Sequence, residues 1–141
     1  MVKTIKITSI SHKPQYPKVG EKVTITVFWK HYNAYYGASR VYDKIEVEYG
    51  GKTEVISTGV IVSGVEAGVD YNITFDTAGQ KDIVFKAYMK EICGDECDAE
   101  WVLTDSKTYT IIVTNKTVTL EITTTPSEAN IYIDGNYIGT T

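Results

Sequence analysis

Apolar and polar residues alternate with period two along most of this chain, a pattern that suits strands with one buried face and little else. Ile5 and Ile7 begin it, Val23, Ile25, Val27 and Trp29 continue it, and Val41, Ile45, Val47 and Tyr49 come next. Val69, Tyr71, Ile73 and Phe75 follow, then Ile83, Phe85, Ala87 and Met89, and then Tyr109, Ile111 and Val113. Successive side chains on a strand point to opposite sides of the sheet, so each set is expected to form one inward face. No segment sustains a 3.6-residue period, and eleven Tyr among many Val, Ile and Thr suit pleated surfaces better than helices.

Turn residues separate these runs: Pro14 and Pro17 with Gly20, then Tyr49-Gly50-Gly51-Lys52, then Ala78-Gly79-Gln80. Gly-Gly between alternating runs signals a tight hairpin, because primed turns need positive φ. About seven short strands at regular spacing predict an all-β, immunoglobulin-like β-sandwich over residues 1–114. Residues 31–39 lack clean alternation and are expected to be a loop at one end of the sandwich. Tyr32, Tyr35 and Tyr36 there are candidate ligand contacts, since tyrosine offers broad contact area at low entropic cost.

A polar linker at 115–117 precedes a new alternating run from Val118. Residues 118–141 then predict a short C-terminal β-hairpin, with Asp134-Gly135-Asn136 as its turn. A lone hairpin is marginal in water, so this tail is expected to pack on the first domain, join another chain, or belong to a longer protein.

Charge excludes some partners. The net charge is -4, with Lys and Arg scattered among acids, so the basic footprint of nucleic-acid binding is missing. No apolar run approaches the roughly 20 residues that cross a bilayer, so direct membrane insertion is not expected. Met1-Val2-Lys3-Thr4 opens into strand-like sequence rather than a signal peptide, which reads as a cytosolic chain, a mature form with an added Met, or an excised piece.

Motifs for chemistry are sparse. Asp76-Thr77-Ala78-Gly79-Gln80 matches the metal-side element of small GTPases, and Asn115-Lys116 part of their guanine-reading element. No glycine-rich loop ending in Gly-Lys-Ser/Thr accompanies them, and Val118 stands where the second element has Asp, so a strand end and glycine turn is the reading. His12 and His31 fall in or beside proposed loops, with no nucleophile frame around them. Glu46 and Glu48 share a strand face with Lys44, which suits a solvated face rather than a glycosidase pair. No enzyme, catalytic residue, cofactor or bound metal is expected.

Cys93 and Cys97 are a candidate local disulfide, which leans towards an oxidising compartment or a hyperthermophile. Asp95, Glu96 and Asp98 crowd the same segment without the ligand spacing of an EF-hand loop. Asn72-Ile73-Thr74 and Asn115-Lys116-Thr117 are sequons that make Asn72 and Asn115 candidate glycosylation sites.

Residues 3–113 resemble the CARDB-like group of immunoglobulin-type modules on prokaryotic surface proteins. The resemblance rests on Pro14-x-x-Pro17-Lys-Val-Gly-Glu-Lys-Val-Thr-Ile-Thr-Val27 and Ala78-Gly79-Gln80-Lys-Asp-Ile-Val-Phe-Lys-Ala87. The tyrosine-rich segment after Trp29 departs from the short turn usual in that group. Leu120-Glu-Ile-Thr-Thr-Thr-Pro126-Ser-Glu-Ala129-Asn-Ile-Tyr-Ile-Asp134-Gly135 resembles the start of a PEGA domain, a small β module of prokaryotic envelope proteins, with Glu128 where that family has Gly. Only the first hairpin of that family is present.

These resemblances imply a non-catalytic structural or adhesion module, extracellular or on the cell surface, whose partners are neighbouring domains, like subunits or a surface glycan. A self-assembling variant would use the tail as a strand donor. The alternative is a carbohydrate-binding accessory module of a secreted enzyme, in which Tyr32, Tyr35, Tyr36 and Trp101 stack on sugar rings.

Overall fold

The computed structural model describes residues 3–33, 39–92 and 99–115, together with the backbone of 130–133 and 136–140. Seven strands form the main body: β1 (Lys3–Lys13), β2 (Lys22–Asn33), β3 (Arg40–Tyr49), β4 (Lys52–Val62), β5 (Glu66–Thr74), β6 (Gly79–Glu91) and β7 (Val102–Val113). They make a three-stranded sheet in the order β1-β2-β5 and a four-stranded sheet in the order β4-β3-β6-β7. All pairings in both sheets are antiparallel. The all-β, two-sheet expectation holds. Separately, β8 (Asn130–Ile133) and β9 (Asn136–Thr140) pair as an antiparallel hairpin, again as expected.

The inward faces meet in one core whose largest members are Trp29, Phe75 and Phe85. Most residues of the alternating sets are buried in it; Tyr49, Val69, Tyr71, Ile73, Met89 and Tyr109 pack partly buried at its margins. Removing this apolar surface from water is the main favourable term holding the sheets face to face. The β3–β4 hairpin turns through Gly50 (φ 61) and Gly51 (φ 79), with Tyr49 paired to Lys52. Two consecutive positive φ values are what a primed two-residue turn requires and what side chains with a Cβ resist.

Where β1 and β7 meet at the side of the sandwich, two bulges stitch the sheets together. Thr8 is the extra residue in β1 against β2, and Thr104 the extra residue in β7 against β6. The Thr104 hydroxyl donates to the Ile5 carbonyl at 2.7 Å and lies 3.2 Å from that of Ala87. The Ile7 N–H donates to Asp105 Oδ2 at 2.8 Å. Lower down, the chain crosses between sheets after the cis Lys13–Pro14 bond: Val19 N–H donates to Thr114 O, and Thr114 N–H to Pro17 O.

Two expectations need correction. The strand β2 runs on through His31 and Tyr32 to Asn33, so these residues are not loop. His31 is fully buried rather than at the surface, because it continues the inward phase of Val27 and Trp29 by one more step. His12 likewise sits within β1, partly buried, where its ring bonds the Tyr109 hydroxyl and the Gln15 carbonyl.

Candidate functional site

The outer face of the four-stranded sheet carries the densest arrangement of aromatic and cationic groups among the described residues. It arises from register. β3 and β6 pair Tyr42 with Lys90, Lys44 with Tyr88, and Glu46 with Lys86, so aromatic and cation alternate across the strands as well as along them. Directly opposed side chains on one face stand close enough to interact, and such pairs are the unit of sheet stabilisation.

Trp101, just before β7, joins these rows. Lys44 Nζ lies 4.6 Å from the centroid of Tyr88 and 4.6 Å from that of Trp101. Lys90 Nζ lies 5.4 Å from the Tyr42 ring and 5.0 Å from Trp101. Each ammonium thus stands between a tyrosine and the same indole, within the range at which a ring quadrupole attracts a cation. Lys44 also approaches Glu46 Oε2 at 3.7 Å, with both side chains only 17% exposed. One step along, Lys86 Nζ donates to Glu48 Oε2 at 2.8 Å, and this bond raises the Lys86 ammonium above its ordinary range. Burial first, then the hydrogen bond and charge of Glu46, raise the Tyr88 phenol. The phenol therefore stays a neutral hydrogen-bond donor further into alkaline pH.

Inside the sandwich, behind this face, lies a second polar group. Trp29 Nε1–H donates to Asp43 Oδ2 at 2.6 Å, both residues being buried. His31 Nδ1 lies 3.3 Å from the Ile61 carbonyl, while His31 Nε2, Asp43 Oδ1 and Ser39 Oγ are buried without a protein partner. Desolvation lowers the His31 pKa below 6.5, against the Ile61 bond that raises it.

The candidate contacts distribute as follows. Tyr32 lies on the opposite sheet, exposed on the outer side of β2 beside Lys30, whose Nζ is 5.7 Å from its ring. Tyr35, Tyr36, Cys93 and Cys97 lie outside the described residues. Asn72 is exposed on β5, its Oδ1 accepting from Thr24 Oγ1 at 2.7 Å, and Asn115 is exposed beyond β7. Lys44, Glu46 and Glu48 share the outer face, as their spacing predicts. Of the two candidate sugar-stacking residues that are described, Tyr32 and Trp101, it is Trp101 that shares its lysines with other aromatic rings. That Trp101 sits with Tyr42, Tyr88, Lys44 and Lys90 is not legible in the sequence, because their neighbourhood depends on long-range register. Among the described residues, no group of three or more His, Cys, Asp or Glu side chains could hold a metal ion.

Residues 117–141 match the PEGA domain family. No curated protein sequence matches the chain. Among solved structures, the chain is similar to the sporulation control protein Spo0M of Bacillus subtilis, with 14% identity, a TM-score of 0.44, and 79% of this chain and 49% of that one covered. It is also similar to the alkylpurine DNA glycosylase AlkC of Pseudomonas fluorescens, at 10% identity and TM-score 0.45, covering 79% of this chain and 30% of that one. A third is the β-glucosidase EmGH1 of Erythrobacter marinus, at 8% identity and TM-score 0.40, covering 79% and 15%. The chain thus spans less than half the length of each of these three proteins.

Proposed function

We propose that this chain is a non-catalytic structural or adhesion module of a prokaryotic surface protein, working outside the cell by contact with neighbouring domains, like subunits or a surface glycan. The observation that carries this reading is the PEGA match at 117–141, following directly on a two-sheet sandwich. PEGA domains are small β modules of envelope proteins, and a sandwich in tandem with one suits a chain of extracellular modules. The resemblance of residues 3–113 to CARDB-like modules points the same way. So does the strand order, which reads as immunoglobulin-like: β1-β2-β5 faces β4-β3-β6-β7, with a parallel bridge between Lys18 and Thr114 just past the end of β7. On this reading residues 1–114 are the sandwich, 115–117 the linker and 118–141 the opening of the PEGA module.

Labelling intact cells of the source organism with an antibody raised against the chain tests the location. Decoration of unpermeabilised cells is expected; staining that requires permeabilisation would contradict the reading. A second reading, a carbohydrate-binding accessory module, is favoured by the setting of Trp101 rather than by the tyrosines first singled out.

A further inference from the structure

We infer that the outer face of β3 and β6 around Trp101 is a binding site for an acidic polysaccharide, a sugar polymer that carries carboxylates. The inference rests on the contact role proposed above and gives that role a place and a ligand class.

Rings and charges stand here in the arrangement such a polymer requires. The apolar C–H face of a pyranose ring is buried well by an aromatic ring, and Tyr42 (38% exposed), Tyr88 and Trp101 offer three rings on one face. Between them stand the ammonium groups of Lys44 and Lys90, held by ring contacts rather than left to sample solvent. A cation fixed by its neighbours loses less entropy when an anion binds it. Lys44 already has Glu46 beside it, whereas Lys90 has no carboxylate within ion-pair distance among the described residues. Exposed Arg40 shares the outward phase of Tyr42 and Lys44 and adds a further cation at the same end of the face.

These cations sit on a chain whose net charge is -4. General attraction for polyanions is therefore weak, and recognition falls to the site itself. A neutral polysaccharide would use the rings and leave the ammonium groups idle. Nucleic acid would require basic surface well beyond this one end of a sheet face.

The test is titration of the full chain with polygalacturonate, followed by calorimetry, with dextran as the neutral polymer and dextran sulfate as a polyanion without sugar carboxylates. Saturable binding to polygalacturonate that weakens with added salt is expected, with none to dextran. Lys90→Gln should weaken it at least roughly tenfold, the worth of one hydrogen bond to a charged group, and Lys90→Arg should restore part of it. Trp101→Ala should remove it. Lys90 is an outward strand residue, so its variants keep the test informative should Trp101→Ala misfold.

Equal binding to dextran, binding to dextran sulfate alone, or affinity for polygalacturonate unchanged by Lys90→Gln would each overturn the assignment, as would no binding at low salt. Failure of the surface reading shows up separately, as absent labelling of intact cells.

Discussion

At Asp43 and His31 the inward phase of two strands carries polar side chains where alternation calls for apolar ones. The Trp29 indole donates to Asp43 Oδ2 at 2.6 Å, which offsets part of the cost of burying the group, while Oδ1 is left without a protein partner among the described residues. In sequence such residues look like interruptions, so His31 reads as loop. The signal was nonetheless present: Asp43 falls midway between Val41 and Ile45, and His31 two residues after Trp29, both in register with the buried face.

Burial of His31 also makes stability depend on pH. Its folded pKa lies below the ordinary 6.5, with Lys3 lowering it further and Glu91 and Asp43 opposing. A depressed folded value means that the unfolded chain binds the proton more readily. The neutral imidazole therefore contributes stability that is full above pH 6.5 and is lost as pH falls from there through the folded pKa. Melting temperatures measured across this acidic range should fall more steeply for the native chain than for His31→Gln, whatever the variant's overall stability. Parallel curves would show that the imidazole is not the titrating group.

Between elements, register and bulges matter more than composition. Phe28 pairs across the strands with Gly68, and a Cβ built on Gly68 would fall 2.6 Å from the Phe28 ring. The ring thus lies over the glycine, filling the place of the missing side chain. Gly68→Ala is expected to destabilise the protein by about 1–3 kcal/mol through overpacking. In a Phe28→Ala background the same change should cost far less, and denaturant unfolding of the four proteins measures the coupling. Equal costs in both backgrounds would mean that the ring moves aside freely.

The β1–β7 seam makes a similar claim. Asp105→Ala leaves the Ile7 N–H without its side-chain acceptor. Hydrogen exchange at the Ile7 amide should speed up markedly, and stability should drop by about 1–3 kcal/mol. An amide equally protected in the variant would show that another acceptor replaces the carboxylate. None of this seam was legible in the sequence, because Thr104 and Asp105 sit at a bulge whose place is set by strands about a hundred residues apart. The strand β4 was also faint: it lies at a sheet edge, where few positions need be apolar, and Ile61 is its only residue buried in the core.

For the whole molecule, the sequence disclosed the architecture because alternation is local and recurs in nearly every strand. It disclosed the candidate site poorly. Trp101 stood out as an aromatic residue, but the lysines and tyrosines around it belong to strands whose neighbourhood only the assembled sheet reveals. We therefore propose distinct roles for the parts of the chain. The sandwich has one continuous core, and one side is stitched between its sheets. The β8–β9 hairpin lies within the stretch 117–141 that matches the PEGA domain family, and we propose it as the element that joins further modules or copies.

That division is tested most directly by the solution masses of residues 1–141 and 1–117, measured by light scattering across a concentration series. Residues 1–117 are expected to be folded and monomeric throughout, while the full chain grows in mass with concentration. A shorter chain that unfolds, or one that associates as strongly as the full chain, would contradict the division. A full chain that stays monomeric at every concentration would remove self-assembly from the proposed function.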